Sequence, residues 1–333
     1  MWLLRKVHAI CDTALRYLKL IENRQVGWLT WDRKSGDFKR EQQPLWKKLK
    51  LLLLFNPVTE WIDRTHVLRL WTHKKNIKAG RKEGRPQSRA KINAFIDYYH
   101  IDMSSFEPPN PESYPTFEDF FVRTFAPNAR PIFAPEDPTQ ATVVADSRLV
   151  VYQTVEKTQA LWVKGSEFTI HNLIQDDIRS VQWQDGSIAS FRLSPQDYHR
   201  YHSPVKGNVK WYKHIPGDYL QVDPVALHSS VNILTENARS CVCIESKEFG
   251  DVLFVAIGAT DVGTVEIHDE IKEGHPVQKG DELGLFQFGG SSIIVAFEQG
   301  RIDFDEDLRR FSNKEVMVDV EVGMSLGRAT HHV

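Results

Sequence analysis

The chain is poor in cysteine, and that narrows its chemistry first. Only Cys11, Cys241 and Cys243 occur in 333 residues. Three cysteines build no disulfide framework, so nothing calls for an oxidising compartment. Cys241 and Cys243 alternate as they would on one face of a strand, and no second pair completes a zinc site, so a buried strand position is expected. Long apolar runs are missing too. Neither Leu51–Phe55 nor Val252–Ile257 approaches the length needed to cross a bilayer. No apolar stretch with a small-residue cleavage site follows the start, so secretion is not expected. The basic stretch Lys74–Arg89, with Gly80, Gly84 and Pro86, reads as a linker; no nucleic-acid motif accompanies it, and a nucleic-acid partner is not expected.

What is present is an ordinary globular composition with an uneven distribution of charge. Hydrophobic residues make up 41% and charged residues 26%, which places the chain among folded proteins with a substantial core. The net charge of −2 hides an asymmetry: residues 1–100 hold 22 Lys and Arg against 9 Asp and Glu, the remainder 20 against 35. A basic first third points to an anionic partner, such as a membrane surface. Leu4, Val7, Cys11, Ala14 and Leu18 keep a helical period, as do Val58, Trp61, Ile62, Thr65 and Leu68. Between them, Leu45–Phe55 sets Trp and Leu beside Lys47, Lys48 and Lys50. That mixture suits an interfacial helix, and equally a helix packed on its own domain with a solvated basic edge.

From Val143 the texture changes to short β-rich runs broken by Gly, Pro, Asp and Asn. Leu149–Thr154, Gly207–Tyr212, Asn232–Leu234, Cys241–Ile244, Val252–Ile257, Gly263–Ile267 and Ile293–Phe297 are predicted strands. The expected fold is α+β: a helical, basic, membrane-associating portion over residues 1–93, then a mostly antiparallel β catalytic core with barrel-sandwich-like hairpins over 94–333.

Three segments carry candidate chemistry. Val143–Ser147 ends an apolar run on Asp146, Arg192–Pro204 contains His199 and His202, and Gly289-Gly290-Ser291-Ser292 precedes the apolar run Ile293–Phe297. Asp, His and Ser suffice to activate a hydroxyl nucleophile, provided that the fold brings them together. A serine after glycine has little steric cover, so its hydroxyl can reach the preceding carbonyl. An ordinary tight turn explains Gly-Gly-Ser-Ser as well. The two histidines lie on one face of a helical turn or on opposite faces of a strand. They suit proton transfer or a buried structural pair, and lack a nearby third ligand for metal.

Together these segments resemble the phosphatidylserine decarboxylases, pyruvoyl-dependent enzymes made as self-cleaving proenzymes. The resemblance runs from Ala94 to Gly327. It is carried by Phe117–Arg123 with Arg130-Pro131-Ile132, by Trp162–Gly165, by Leu193–Pro204 with its Asp-Tyr-His-Arg core, by Ile257–Gly263, by Lys279–Gly284 and by Gly289–Ser292. It implies cleavage between Gly290 and Ser291, giving a large chain 1–290 and a small chain 291–333 that stay associated. Ser291 would become the pyruvoyl cofactor, which takes up the substrate amine and draws off the electrons released with CO₂. Asp146 and His202 match the positions that activate the serine, and His199 the position that protonates the carbanion. No metal is implied. Phosphatidylserine and a membrane surface are the implied partners, and a homodimer is compatible with the resemblance.

The chain departs from the family pattern in a few places. Ser147 stands where glycine usually follows the aspartate, Ser292 where threonine is common, and Asp223 and Asp261 where asparagine is common. The acidic replacements bear on the substrate pocket, so a relative acting on a free aromatic amino acid is the alternative reading. Gly274–Phe286 also resembles the hairpins of biotinyl and lipoyl carrier domains, without their attachment site. From other classes, a serine hydrolase lacks its Gly-x-Ser-x-Gly elbow here, and a non-catalytic lipid-binding module would not need Ser291. Among eukaryotic relatives the Gly-Gly-Ser form resembles the endomembrane or cytosolic-face type more than the mitochondrial one, and peripheral attachment through residues 1–75 is expected.

Overall fold

A computed structural model describes residues 29–40, 84–155, 168–217, 233–258, 265–287 and 291–330. The expected helices over Leu4–Leu18, Leu45–Phe55 and Val58–Leu68 lie outside the described residues, as does Trp162–Gly165.

Among the described residues, ten strands form one sheet. Its order is β13 (Pro276–Val277), β9 (Gly207–Ile215), β10 (Arg239–Ser246), β11 (Gly250–Gly258), β15 (Ser291–Phe297), β7 (Ser187–Leu193), β6 (Ser147–Tyr152), β17 (Met317–Val320), β1 (Leu29–Asp32) and β2 (Asp37–Arg40). All neighbours are antiparallel except β1 and β17. Two three-stranded sheets flank it: β12 (Val265–Ile267), β14 (Glu282–Phe286) and β8 (Arg200–His202); then β16 (Ile302–Phe304), β18 (Ser325–Ala329) and β5 (Gln140–Thr142). A short ribbon pairs β3 (Phe106–Glu107) with β4 (Thr124–Phe125). The architecture is α+β, mostly antiparallel, as the sequence predicts.

The core follows from strands that are apolar on both faces. Cys241–Ile244, Val252–Ile257 and Ile293–Phe297 are all buried, so the sheet centre is covered on each side. Each fully buried Ile, Val or Phe there contributes about 1.5–3 kcal/mol of transfer free energy. Cys241 and Cys243 sit within this core, and burial pushes both thiols up.

Some local structure differs from expectation. Within 1–93, residues 29–40 form the β1–β2 hairpin, docked on the catalytic sheet. Trp31 stacks on Phe311 at 4.3 Å, and Arg33 pairs with Asp305 and Asp307 at 2.6 and 2.7 Å. The expected boundary at 93/94 falls inside helix α1 (Ile92–Tyr99). Ile233–Glu236 is a helical turn where Asn232–Leu234 was predicted extended. β7 was not predicted, yet it lies between β15 and β6.

Candidate active site

The site starts from Ser291, the first residue of β15. It faces Gly258 at the end of β11 and Leu193 at the end of β7. β7 runs directly on into the loop that carries the two histidines. Ser291 is completely buried, and its Oγ has no hydrogen-bond partner among the described residues. A buried hydroxyl left unpaired costs about 1–3 kcal/mol, so an arrangement that keeps one requires a reason. Phe288–Gly290 lie outside the described residues.

His199 is fully buried immediately before β8. Its Nδ1 lies 2.9 Å from the Asp197 carbonyl, which assigns the proton of a neutral ring to Nδ1. Its own carbonyl accepts from Phe286 N at 2.9 Å, tying the loop to the strand that leads toward Ser291. Phe121 packs on the ring at 3.9 Å between centroids. That phenylalanine is delivered by helix α2 (Phe117–Phe121), which starts on a capping box between Thr116 and Asp119. Just beyond, Arg123 donates to the Gln196 carbonyl at 2.8 Å and lies over Phe106; burial lowers its guanidinium to about 10.

The loop itself is braced by Asp197. Its Oδ2 accepts from Ser194 N at 2.6 Å and pairs with Arg148. Burial pushes this carboxyl up to about 6, against the opposing pull of Arg148.

His202 points to other partners, as an extended segment requires. Its Nδ1 donates to the Gly280 carbonyl at 2.8 Å, and the Tyr198 hydroxyl donates to its Nε2 at 3.2 Å. Burial lowers its proton affinity; the Gly280 bond and the Glu282 and Asp146 charges oppose that, while Arg200 adds to it. The neutral imidazole is therefore favoured, the form able to accept a proton. Gly280 takes φ +87°, and a Cβ there would lie 2.5 Å from Ile132 Cδ1. Glycine is what lets this turn present its carbonyl.

Asp146 comes close to His202 through the backbone bond from His202 N to the Val144 carbonyl, at 2.9 Å. Its carboxylate is engaged elsewhere. Arg130 Nε and Nη2 donate to Oδ1 and Oδ2 at 3.2 and 2.7 Å, and Val322 N donates to Oδ1 at 2.8 Å. Arg130 also lies 4.4 Å over the Phe125 ring, which packs on Tyr198 at 4.1 Å. Tyr198 in turn stacks beside His202 at 5.7 Å. No hydrogen bond joins Asp146 to His202, or His202 to Ser291, among the described residues. The sequence reading gave no role to Arg130, Tyr198 or Gly280, although each stands inside a motif that carried the resemblance.

The sequence profile described as phosphatidylserine decarboxylase matches residues 117–328. The chain belongs to the phosphatidylserine decarboxylase family. It is 44% identical to phosphatidylserine decarboxylase proenzyme 2 of Oryza sativa subsp. japonica, over 77% of this chain and 41% of that protein. It is 36% identical to phosphatidylserine decarboxylase proenzyme 3 of Schizosaccharomyces pombe, over 90% of this chain and 31% of that protein. It is 33% identical to a phosphatidylserine decarboxylase proenzyme of Fusobacterium nucleatum, over 89% of this chain and 96% of that protein. The chain thus matches under half of the rice and fission-yeast relatives and nearly all of the bacterial one. The profile spans most of the segments that build this site, from α2 into β18.

Proposed function

We propose that the chain cleaves itself between Gly290 and Ser291 and then decarboxylates phosphatidylserine to phosphatidylethanolamine and CO₂. The observation that carries this reading is the buried Ser291 Oγ at the start of β15, without a hydrogen-bond partner among the described residues and directly after two glycines, in a family whose relatives are named proenzymes. In the first stage Oγ attacks the Gly290 carbonyl carbon while His202 takes the hydroxyl proton. The peptide C–N bond breaks, an ester forms, and the freed amine gains a proton. Loss of the Ser291 α-proton then expels the Gly290 carboxylate, leaving a dehydroalanine that water converts to a pyruvoyl group and ammonia. Gly280 orients His202 for this, and Asp146, fixed by Arg130, supplies negative charge beside it.

A pyruvoyl group at position 291 would hold the substrate amine and act as the electron sink for loss of CO₂. The hydroxyl fits such a fate, because among the described residues it has no structural hydrogen bond to lose. His199, its Nδ1 proton held by the Asp197 carbonyl and its ring packed on Phe121, would take a second proton at Nε2 and pass it to the substrate carbon.

Intact mass of the purified protein tests the first stage. The wild type should separate into two chains divided after Gly290, the smaller with a carbonyl-blocked N-terminus, and Ser291→Ala should remain whole. A wild type that stays whole while folded overturns the proposal. Turnover of short-chain phosphatidylserine against free tryptophan decides the substrate.

Attachment to a membrane surface is proposed from the basic Trp/Leu segment around Lys47, Lys48 and Lys50. No helix among the described residues is long and apolar enough to cross a membrane. Deleting residues 1–75 would also remove β1 from the large sheet, so charge removal is the cleaner test. Changing the three lysines to Gln should weaken binding to anionic vesicles by about 100-fold, at roughly 1 kcal/mol per charge. Undiminished co-sedimentation with those vesicles counts against attachment through this segment.

A further inference from the structure

One carboxylate beside His202, that of Glu282, neither gives nor takes a proton in the cleavage steps. β14 runs antiparallel to β8 with Glu282 opposite His202, so the two residues share a face of that small sheet. Gly280, two residues earlier on the same turn, supplies the carbonyl that accepts from His202 Nδ1. Glu282 is itself held in place: Arg200 Nη1 donates to its Oε1 at 2.6 Å, and His268 Nε2 lies 2.6 Å from the same oxygen. Arg200 is anchored in turn, with Nε donating to the Val122 carbonyl at 2.8 Å. Asp146 approaches the imidazole separately, with both of its oxygens engaged by Arg130 and one also by the Val322 amide.

We infer that Glu282 is a positioning residue for His202, and that the Gly280–Glu282 segment performs the orienting and charge-stabilising work of a triad carboxylate. Gly280 fixes the ring and its tautomer; Glu282 supplies the counter-charge when the ring takes the Ser291 proton. This rests on the self-cleavage reading above and deepens it. The charged and titratable groups facing His202 are Glu282 from β14, Asp146 from the segment before β6, Arg200 from β8 and the Tyr198 phenol. Both carboxylates, Glu282 and Asp146, work to restore the proton affinity that burial removes. The neighbouring Arg200 acts in the opposite sense, so removing Glu282 leaves His202 facing an unbalanced guanidinium.

The test separates this inference from cleavage itself. In the full-length Ser291→Ala chain, which cannot process, the His202 titration is followed by side-chain NMR, with His202→Gln assigning the signal. Glu282→Gln should lower the midpoint by about 1 pH unit, since an opposite charge nearby favours the protonated ring. Glu282→Asp, which keeps the charge, should restore most of it. An unmoved midpoint in folded Glu282→Gln overturns the inference. Should Glu282→Gln fail to fold, Arg200→Gln decides: its midpoint must rise, and a fall or no change is fatal. In the Ser291 chain, Glu282→Gln should cleave about 10-fold more slowly, with the acid limb of its rate profile moved to lower pH. A slowed rate with an unmoved limb marks a purely structural role. If the wild type never cleaves, the proposed function fails, while the NMR titration still judges Glu282.

Discussion

His202→Ala should persist as one polypeptide while His199→Ala divides into two chains and then fails to turn over. The two histidines are three residues apart, but the extended backbone sends them to different partners. His202 meets Gly280 and Tyr198, on the side where Asp146 and Arg130 lie. His199 is enclosed by Phe121 and the Asp197 carbonyl. General acid–base groups contribute about 10²–10⁴-fold, so self-cleavage of His202→Ala should slow by at least about 100-fold. In His199→Ala, cleavage should stay within a few-fold of wild type and CO₂ release from short-chain phosphatidylserine should fall by a similar factor of about 100 or more. Because burial favours the neutral form of His202, wild-type cleavage should hold its rate down to histidine's ordinary 6.5 and decline below it. Time courses by intact mass and CO₂ release read both steps. Normal processing in His202→Ala, or normal turnover in His199→Ala, removes the division of labour.

What the sequence made legible was local in character. β10, β11 and β15 are continuous apolar runs bounded by Gly, Ser or Asp, so they announce themselves as buried strands. β7 did not, because Ser187, Ser190 and Arg192 dilute its apolar pattern. Those groups find partners only in the folded sheet, Arg192 on Ser194 Oγ at 3.2 Å and Ser187 on the Gln153 carbonyl at 3.2 Å. β1 was hidden for a related reason: four residues within a basic, helical-looking region become a strand by pairing with β17, near the other end of the described chain. At the site, motifs nominated Asp146, His199, His202 and Ser291, and β7, which pairs with Ser291 at Leu193, runs on into the loop that carries both histidines. The immediate partners were not legible. Arg130 and the Gly280–Glu282 turn reach the site from segments far in sequence from Asp146 and His202, and no spacing rule relates them.

The partner of Asp146 gives the second large effect. Arg130→Met should destabilise the fold by about 3 kcal/mol, the cost of stranding a largely buried charge, with loss of the cation–π contact on Phe125 included. Asp146 would then keep only the Val322 amide for its carboxylate. Asp146→Asn in the same chain removes the stranded charge, so the double variant should recover much of that stability, and a double-mutant cycle in urea measures the coupling. Cleavage should behave differently from stability. His202 loses one of its two facing carboxylates whenever Asp146 is neutral, so Asp146→Asn and the double variant should both process about 10-fold or more slowly even when well folded. A double variant that regains stability and full cleavage together would make the Arg130–Asp146 pair a structural clasp and leave Glu282 as the carboxylate that serves His202. A double variant that is stable but slow keeps Asp146 in the chemistry, acting through charge from a place that Arg130 fixes.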